Sequence, residues 1–282
     1  MGARSWALVG AGAAGTAVAF LLARRGDRVA SIWSRRLRRA KAARALIGQG
    51  RVFARAEDAA AAAPWVLLGV PDGAIVSVGV SLLKAEALKP GQTLIHLSGA
   101  QPASVLKLKA GVRYGALHPI QTIPTAEEGV ERLPGSFFGV EGPAAMLPEL
   151  ESMARDLGGI PVRVPAKGKP LYHAAMAMAA NHLTVLGDAA AEMLEKAGAG
   201  GRGLEMILPL MRGALEAMER RGVPRALTGP VARGDSGTVA AHLEALKGSP
   251  ELLALYRACA QRALGMARLD PAHRVALSKL LA

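Results

Sequence analysis

A histidine that follows a short apolar run is the first candidate for chemistry in this sequence. His118 stands in the run LHPIQT at residues 117–122. Histidine is the usual general acid or base near neutral pH, so we expect His118 to act in catalysis or to contact a substrate. The alternative is that its ring only caps a turn before Pro119. Gln121 and Thr122, just beyond it, are predicted to contact the substrate.

A second group of polar residues ends another apolar run. The segment HLSG occupies residues 96–99. The hydroxyl of Ser98 and the backbone N–H of Gly99 could bind a cofactor or a reacting group, and Ser98 is predicted to do both. His96 is predicted to contact substrate. The alternative for His96 is a buried and hydrogen-bonded strand residue.

Two further candidates lie within a predicted helix. His173 and Asn181 are eight residues apart, which offsets them by about 80° over two turns, so both could reach one site. An asparagine in so apolar a helix needs hydrogen-bond partners, which favours a functional role. An ordinary buried imidazole remains the alternative for His173. His182 is rotated about 100° further and is expected to pack or to face solvent.

Arg233 is the candidate for holding an anionic substrate. It lies in the polar run LTGPVARGD at residues 227–235, between two predicted helices. A guanidinium group can bind a carboxylate through two parallel hydrogen bonds. The alternative is that Arg233 is a surface residue and that Asp235 or Ser236 caps the next helix.

A glycine-rich turn near the N-terminus predicts the element that organises these residues. The apolar run WALV at residues 6–9 leads into GAGAAG at residues 10–15, and an alanine-rich helical pattern follows. A strand, a G-x-G-x-x-G turn and a helix in this order form a dinucleotide-binding fingerprint. The pyrophosphate of a dinucleotide would lie on the N-terminus of the helix. The residues predicted to bind the cofactor here are Gly10, Ala11, Gly12, Ala13, Ala14 and Gly15.

The end of the next predicted strand indicates which dinucleotide binds. NAD-binding units carry an Asp or Glu roughly 20 residues past the glycines, where it holds the ribose 2′-OH. This sequence has Ser34, Arg35 and Arg36 there and no carboxylate. These side chains suit a 2′-phosphate, so the sequence favours NADP over NAD. The alternative is that the arginines, Arg38 and Arg39 in particular, belong to the exposed face of the following helix.

One more apolar run, at residues 64–70, predicts the central strand of the same sheet. Val70 and Pro71 are predicted to contact the cofactor, because ligands bind at the carboxyl ends of the strands in open α/β sheets. Asp72 either joins them or caps the helix that follows.

Composition excludes several other classes of protein. The 282 residues are 51% hydrophobic and 20% charged, with a formal net charge of +13 and one cysteine. A lone cysteine can form neither an internal disulfide nor a metal cluster, so no metal is expected, Cys259 is expected in the core, and the cytoplasm is the expected compartment. No stretch is long and apolar enough for a membrane span. The basic charge allows nucleic acid as a partner, but no recognition motif accompanies it, so none is predicted. The charge also suits an anionic cofactor and substrate.

The order of strand and helix patterns predicts two domains. Residues 1–165 alternate strands with helices, which indicates an α/β domain with a doubly wound parallel sheet. Residues 166–282 contain only helical patterns. The first runs from Lys169 to Lys196 and is apolar nearly all round, so we expect it to be buried in a core or a dimer interface.

Several motifs together resemble a known family. They are the fingerprint, HLSG at 96–99, LHPIQT at 117–122, YHAA at 172–175, Asn181-His182 and LTGPVARGD at 227–235. In this order they are similar to the Rossmann-like proteins that carry a DUF2520 domain. The related groups are the pyrroline-5-carboxylate reductases, β-hydroxyacid dehydrogenases, prephenate dehydrogenases and ketopantoate reductases.

The resemblance implies an NADPH-dependent oxidoreductase. An NADP domain would precede a helical domain like the C-terminal part of 6-phosphogluconate dehydrogenase, which often forms a homodimer, with the active site in the cleft between the domains. The substrate would be a small, anionic carbonyl or imine compound, with a ketopantoate-like 2-keto acid as one candidate. Prephenate dehydrogenases have a catalytic histidine in a similar His-Pro motif, which supports His118.

One position departs from the related groups. β-Hydroxyacid dehydrogenases have a catalytic lysine four residues before the helix asparagine, and here that position is Ala177. Either the proton donor or the chemistry must therefore differ. The missing lysine also favours the alternative function, a non-catalytic NADP-binding sensor or regulatory module. Lys169 is too far from Asn181 to replace that lysine by register, although it could reach the site from the start of the helix.

Overall fold

A single mixed sheet forms the centre of the first part of the chain. The computed structural model describes residues 3–282, which divide into two compact units after Ala180. The strands of the sheet are β1 (Ser5–Val9), β2 (Arg28–Trp33), β3 (Arg51–Val52), β4 (Trp65–Leu68), β5 (Thr93–His96), β6 (Arg113–Pro119), β7 (Phe137–Glu141) and β8 (Ile160–Arg163). Their order across the sheet is β3-β2-β1-β4-β5-β6-β7-β8. β1 to β6 are parallel, and β7 and β8 run in the opposite direction.

Helices cover both faces of this sheet, so its strands are apolar on both sides. The helices are α1 (Ala13–Arg24), α2 (Leu37–Ile47), α3 (Ala56–Ala61), α4 (Ile75–Lys84), α5 (Ala126–Arg132), α6 (Leu147–Asp156) and α7 (Lys169–Ala179). Leu8 packs in the core layer that contains α1 and α6, while Val9 packs in the layer that contains α3 and α4. The predicted α/β class and doubly wound sheet are confirmed. The short elements β3, α3 and α5 escaped prediction, because two to seven residues carry too little periodicity.

The second unit is entirely helical within residues 181–282, as predicted. Its helices are α8 (Asn181–Lys196), α9 (Gly203–Arg221), α10 (Val223–Ala226), α11 (Pro230–Arg233), α12 (Ser236–Ala245), α13 (Pro250–Met266) and α14 (Pro271–Leu281). Leu243, Leu264 and Leu277 lie in a core built by the last four helices. Cys259 is exposed on α13, so its expected place in the core is wrong. No helix among the described residues is both long and apolar enough to cross a membrane.

The predicted helix from Lys169 to Lys196 is two helices. α7 ends at Ala179 and α8 begins at Asn181, with Ala180 between them at φ −113° and ψ −64°. The division between the compact units falls at this break, later than the predicted domain boundary between residues 165 and 166. α7 belongs to the first unit because Lys169 and Tyr172 at its start bond to the end of the sheet.

Several large apolar side chains of α7, α8 and α9 are exposed in the single chain, so of the two expected places, a core and a dimer interface, the dimer interface stays a prediction. Leu171 and Met178 on α7 are 80% and 66% exposed. On α8 and α9, Val185, Met206 and Leu210 are 53%, 54% and 74% exposed. Helical periodicity shows how apolar a face is, but it does not show which surface covers that face.

Candidate functional site

A cavity of about 610 Å³ opens at the carboxyl edge of the sheet, above the glycine turn between β1 and α1. All six residues of the turn, Gly10 to Gly15, line it. Gly12 precedes α1 and no side chain caps this helix end, within the part of the chain that the structure describes. The first N–H groups of a helix have no partner inside the helix. The cavity therefore meets free N–H groups and the positive end of the helix dipole.

Close backbone packing explains why glycine occupies the turn. Gly10 has a φ of +100°, and a Cβ there would lie 2.5 Å from Cγ1 of Val70. A Cβ at Gly15 would lie 2.9 Å from the Cα of Gly69. Gly69 follows β4 in the chain and packs on the carbonyl of Gly10, so it lies next to the turn in the folded protein. Sequence reasoning missed Gly69 because the fingerprint describes only the first crossover.

Arginine side chains line the end of the cavity beside β2. Ser34, Arg35 and Arg36 all line it, and so does Arg39. Arg38 and Arg39 are both exposed on α2, as the surface alternative proposes, but Arg39 also lines the cavity and Arg38 does not. α2 has no acidic residue in its first turn, where the helix dipole would favour one. A bound anion would supply the missing negative charge.

The ends of β4 and β5 complete the cavity. Val70, Pro71 and Asp72 line it, as does Leu97, which lies between His96 and Ser98. Pro71, not Asp72, holds the cap position of the short 3₁₀ turn that follows β4, and no side-chain cap bond forms there among the described residues. The capping alternative for Asp72 is therefore wrong, and Asp72 lines the cavity instead.

His118 forms a hydrogen-bonded pair with Tyr172 on α7. The Nδ1 atom of His118 lies 2.7 Å from the hydroxyl oxygen of Tyr172, and the two rings meet edge to face. Burial, with the nearby Lys169 and His173, lowers the pKa of His118 to about 4, and only Asp72 opposes this. Burial raises the pKa of Tyr172 to about 12. At neutral pH the imidazole is uncharged and the phenol keeps its proton, so Tyr172 can donate to His118.

His173 and Lys169 approach the same pair from α7. The ring centroids of His173 and His118 are 6.3 Å apart. Lys169 is 2% exposed, and its Nζ atom donates to the carbonyl oxygens of Ser98 and Gln101 at 3.2 and 2.6 Å. The fold thus brings two of the candidates, His118 and His173, close together, and the buried ammonium group of Lys169 lies near them.

His96 and Ser98 support this site from within. His96 is fully buried, and its Nδ1 accepts the N–H of Ser98 at 3.2 Å. Burial and Lys169 lower the pKa of His96 to about 4, so its ring is neutral. The Ser98 hydroxyl accepts the N–H groups of Ala100 and Gln101 and is 4% exposed. The ligand contacts predicted for His96 and Ser98 stay predictions.

The remaining candidates lie elsewhere. Gln121 and Thr122 are exposed beyond β6, and the Gln121 amide donates to the Ser136 hydroxyl. Asn181 and Arg233 belong to the second unit, where both are exposed, and their roles stay predictions. Asp235 caps α12 by accepting the N–H of Thr238, as the structural alternative for that loop proposes.

Three residues of the site escaped assignment from the sequence. Tyr172 precedes His173 in the YHAA motif, but no spacing rule pairs it with His118. Lys169 was expected only as an alternative, from the start of its helix, and the start of α7 does bring it onto the loop after β5. Glu141 lies at the end of β7, 3.7 Å from the Lys169 ammonium group. A buried lysine usually needs a carboxylate partner, and this requirement was the one signal that could have pointed to Glu141.

The cavity fits a dinucleotide that carries a third phosphate. Its glycine cradle leaves no room for side chains at Gly10 or Gly15, its helix end offers free N–H groups, and its far end carries three arginines. Asp72 is the one carboxylate that lines it within residues 3–282. The turn would hold the pyrophosphate, and Ser34 with the arginines would hold the 2′-phosphate.

Two family models match the chain, in the order that the motifs predict. The Rossmann-like domain model matches residues 3–119, and the model of the domain of unknown function DUF2520 matches residues 136–263. This protein combines a Rossmann-like domain with a DUF2520 domain. The DUF2520 match spans β7, β8 and α7 as well as much of the second unit, so Tyr172 and Lys169 both fall within the DUF2520 domain.

Solved structures share this fold over nearly the whole chain. A Bacteroides fragilis protein provisionally described as an NADP oxidoreductase is 21% identical, with a TM-score of 0.76 over 93% of this chain and 98% of its own. An imine reductase from Pseudomonas sp. is 18% identical, with a TM-score of 0.64 over 100% of both chains. A reductive aminase from Aspergillus terreus, solved with NADPH and ethyl-5-oxohexanoate, is 18% identical, with a TM-score of 0.64 over 99% of both chains. No curated protein matches the sequence.

Proposed function

We propose that this Rossmann-like and DUF2520 protein is an NADPH-dependent reductase of small, anionic carbonyl or imine compounds. The observation that carries the proposal is one sheet edge with two features. A cavity lined by glycines and arginines lies on one side, and the half-buried His118–Tyr172 pair lies on the other. Two residues that line the cavity connect it to this pair. The charge of Asp72 acts on His118, and Leu97 lies between His96 and Ser98 in the chain.

The substrate class rests on charge and on likeness. The formal net charge of +13 favours an anionic ligand, because a positive field raises the local concentration of anions. The structural neighbours include an imine reductase and a reductive aminase solved with NADPH and a keto ester. These names support a C=O or C=N group as the target, and a ketopantoate-like 2-keto acid remains one candidate.

Bound NADPH would supply the hydride, and the protein must supply the proton. His118 is neutral at pH 7, so it cannot act as an imidazolium acid. The Tyr172 hydroxyl donates to Nδ1, which leaves the ring proton on Nε2, where the substrate oxygen can take it. Nδ1 then accepts the phenolic proton, so the net donor is Tyr172. A phenol with a pKa of about 12 can protonate an alkoxide, because the resulting alcohol is a much weaker acid than the phenol.

The cofactor assignment is tested by titrating NADPH and NADH against cavity variants. Arg35→Ala and Arg39→Ala should each weaken NADPH binding about tenfold or more, because each removes a charge-assisted bond to phosphate. NADH binding should not change. Arg38→Ala is the matched control and should stay within about twofold, since Arg38 does not line the cavity. Equal affinity for both dinucleotides in the unmodified protein would contradict the choice of NADP.

The reaction is tested by following NADPH oxidation with 2-keto acids, ketopantoate, cyclic imines, and ketones mixed with amines. We expect turnover of at least one anionic member of this panel. Tight NADPH binding without turnover of any compound would instead favour the non-catalytic sensor.

We further infer that two copies associate through α8 and α9. These helices expose Val185, Met206 and Leu210, and soluble monomers rarely leave so many adjacent apolar side chains in water. Light scattering during size-exclusion chromatography should give twice the mass of 29.1 kDa. Leu210→Glu should shift the protein to monomer, and Val275→Glu, at an exposed valine of α14, should not.

A further inference from the structure

Lys169 is a buried cation for which the proposed reaction has no direct use. Its Nζ atom donates to the carbonyl oxygens of Ser98 and Gln101 and forms an ion pair with the Oε2 atom of Glu141 at 3.7 Å. Burying an ammonium group costs several kcal/mol unless it is paired. The buried lysine therefore needs an explanation, because an apolar side chain could fill the same space without this cost.

Lys169 and Glu141 together fix one loop. Lys169 holds the carbonyl groups of Ser98 and Gln101, and the same Oε2 of Glu141 accepts the N–H of Ala103. The loop at residues 98–103 is therefore held at both ends by partners from α7 and β7. Its own hydrogen bonds, from Ala100 and Gln101 to the Ser98 hydroxyl, close the turn between them.

This loop lies directly on the imidazole of His118. A Cβ at Gly99 would stand 2.7 Å from Cε1 and 2.8 Å from Nε2 of His118. The backbone at Gly99 thus sets where the Nε2 edge of the ring can lie. Any movement of the loop would move the group that the proposed reaction uses.

Lys169 also contributes to the charge around His118. The groups that act on this ring are Lys169 and His173 on α7, Asp72 after β4, and the uncharged Tyr172. Lys169 lowers the pKa of His118 and that of the neighbouring His96, while burial lowers the pKa of Lys169 itself against the attraction of Glu141 and Asp72.

We propose that Lys169 is a positioning residue that, with Glu141, fixes the loop at residues 98–103 against His118 and places a positive charge near this imidazole. Its effect on catalysis rests on the proposed function, but its effect on His118 does not. A lysine that is merely structural would change stability alone.

The direct test is an NMR titration of the His118 ring in the whole protein, with the signal assigned from its loss in His118→Asn. Lys169→Met should raise the pKa of His118 by roughly one unit or more, as expected when a nearby like charge is removed. Lys167→Met, at an exposed neighbour, is the matched control and should leave it unchanged. Lys169→Arg keeps the charge and should hold the ring neutral.

Lys169→Gln provides a second neutral variant, which keeps a donor for the loop carbonyl groups if methionine prevents folding. Amide hydrogen exchange at residues 99–103 should accelerate at least tenfold in either neutral variant. Once a substrate is identified, kcat should fall about tenfold in either neutral variant while the Kd for NADPH stays constant. Lys169→Arg should keep most of the parent's kcat. An unchanged His118 pKa in a folded neutral variant would overturn the proposal. If the protein reduces nothing, the titration and exchange still decide the role of Lys169.

Discussion

The two units of the protein each contain a histidine bonded to a tyrosine, and the two pairs have nearly the same geometry. His118 and Tyr172 in the first unit lie 2.7 Å apart through Nδ1 and the hydroxyl, and His242 and Tyr256 in the second lie 2.9 Å apart. Their ring centroids are 5.5 and 5.7 Å apart, and both pairs meet edge to face.

Their surroundings differ. The first pair lies beneath a loop and close to Lys169, and the pKa of its histidine is lowered to about 4. His242 is exposed on α12. The comparison teaches that a His–Tyr hydrogen bond alone does not make a reaction site. Burial and neighbouring charge decide which protonation states the pair can use.

The largest expected difference between the pairs is in turnover. Tyr172→Phe should lower kcat about 100-fold, because a positioned acid contributes roughly that much or more. NADPH affinity should not change, and Tyr256→Phe should leave kcat within about twofold. Steady-state kinetics of both variants measure this. A Tyr172→Phe protein within threefold of the parent would remove the phenol from the proton path.

The next difference is in how stability depends on pH. The pKa of His118 is lowered from the ordinary value of about 6.5, so between that pH and about 4 the unfolded chain binds more protons than the folded one. The free energy of unfolding should therefore fall as the pH falls through this window, by up to roughly 3 kcal/mol for this histidine.

Urea denaturation between pH 7 and pH 4.5 measures that fall. His118→Asn should flatten the profile relative to the parent, while His242→Asn should keep the parent's slope because that ring is exposed. Parallel profiles for the parent and His118→Asn would mean that folding does not lower the pKa of His118.

The smallest difference concerns the stability that each hydroxyl contributes at neutral pH. Tyr172→Phe should cost about 1–2 kcal/mol, because it leaves a half-buried imidazole nitrogen without its partner. Tyr256→Phe should stay within about 0.5 kcal/mol, because water can replace the lost bond at an exposed histidine. Urea denaturation at pH 7 compares the two variants, and equal losses would show that the two environments do not differ in this respect.

Local patterns were enough to predict most of the sheet and the cofactor end of the site. The run at residues 10–15, the strands at 28–33 and 65–68, and Ser34 with its arginines all lie where sequence reasoning placed them. Such features depend on neighbours in the chain, because a turn, a strand and a helix start are decided within about ten residues. Gly69 was the exception, since it follows β4 and its contact with Gly10 crosses from one strand to the next.

The sequence by itself determined the fold class, the glycine turn and a basic strand end without a carboxylate. Only the tertiary structure decided that Tyr172 pairs with His118, that Lys169 and Glu141 hold the loop after β5, and that His96 is buried. These contacts join residues from 38 to 71 positions apart in the chain. Their energies depend on burial and on mutual charge, which spacing along the chain does not specify. The protonation of His118, and with it the choice of proton donor, is therefore a property of the folded site.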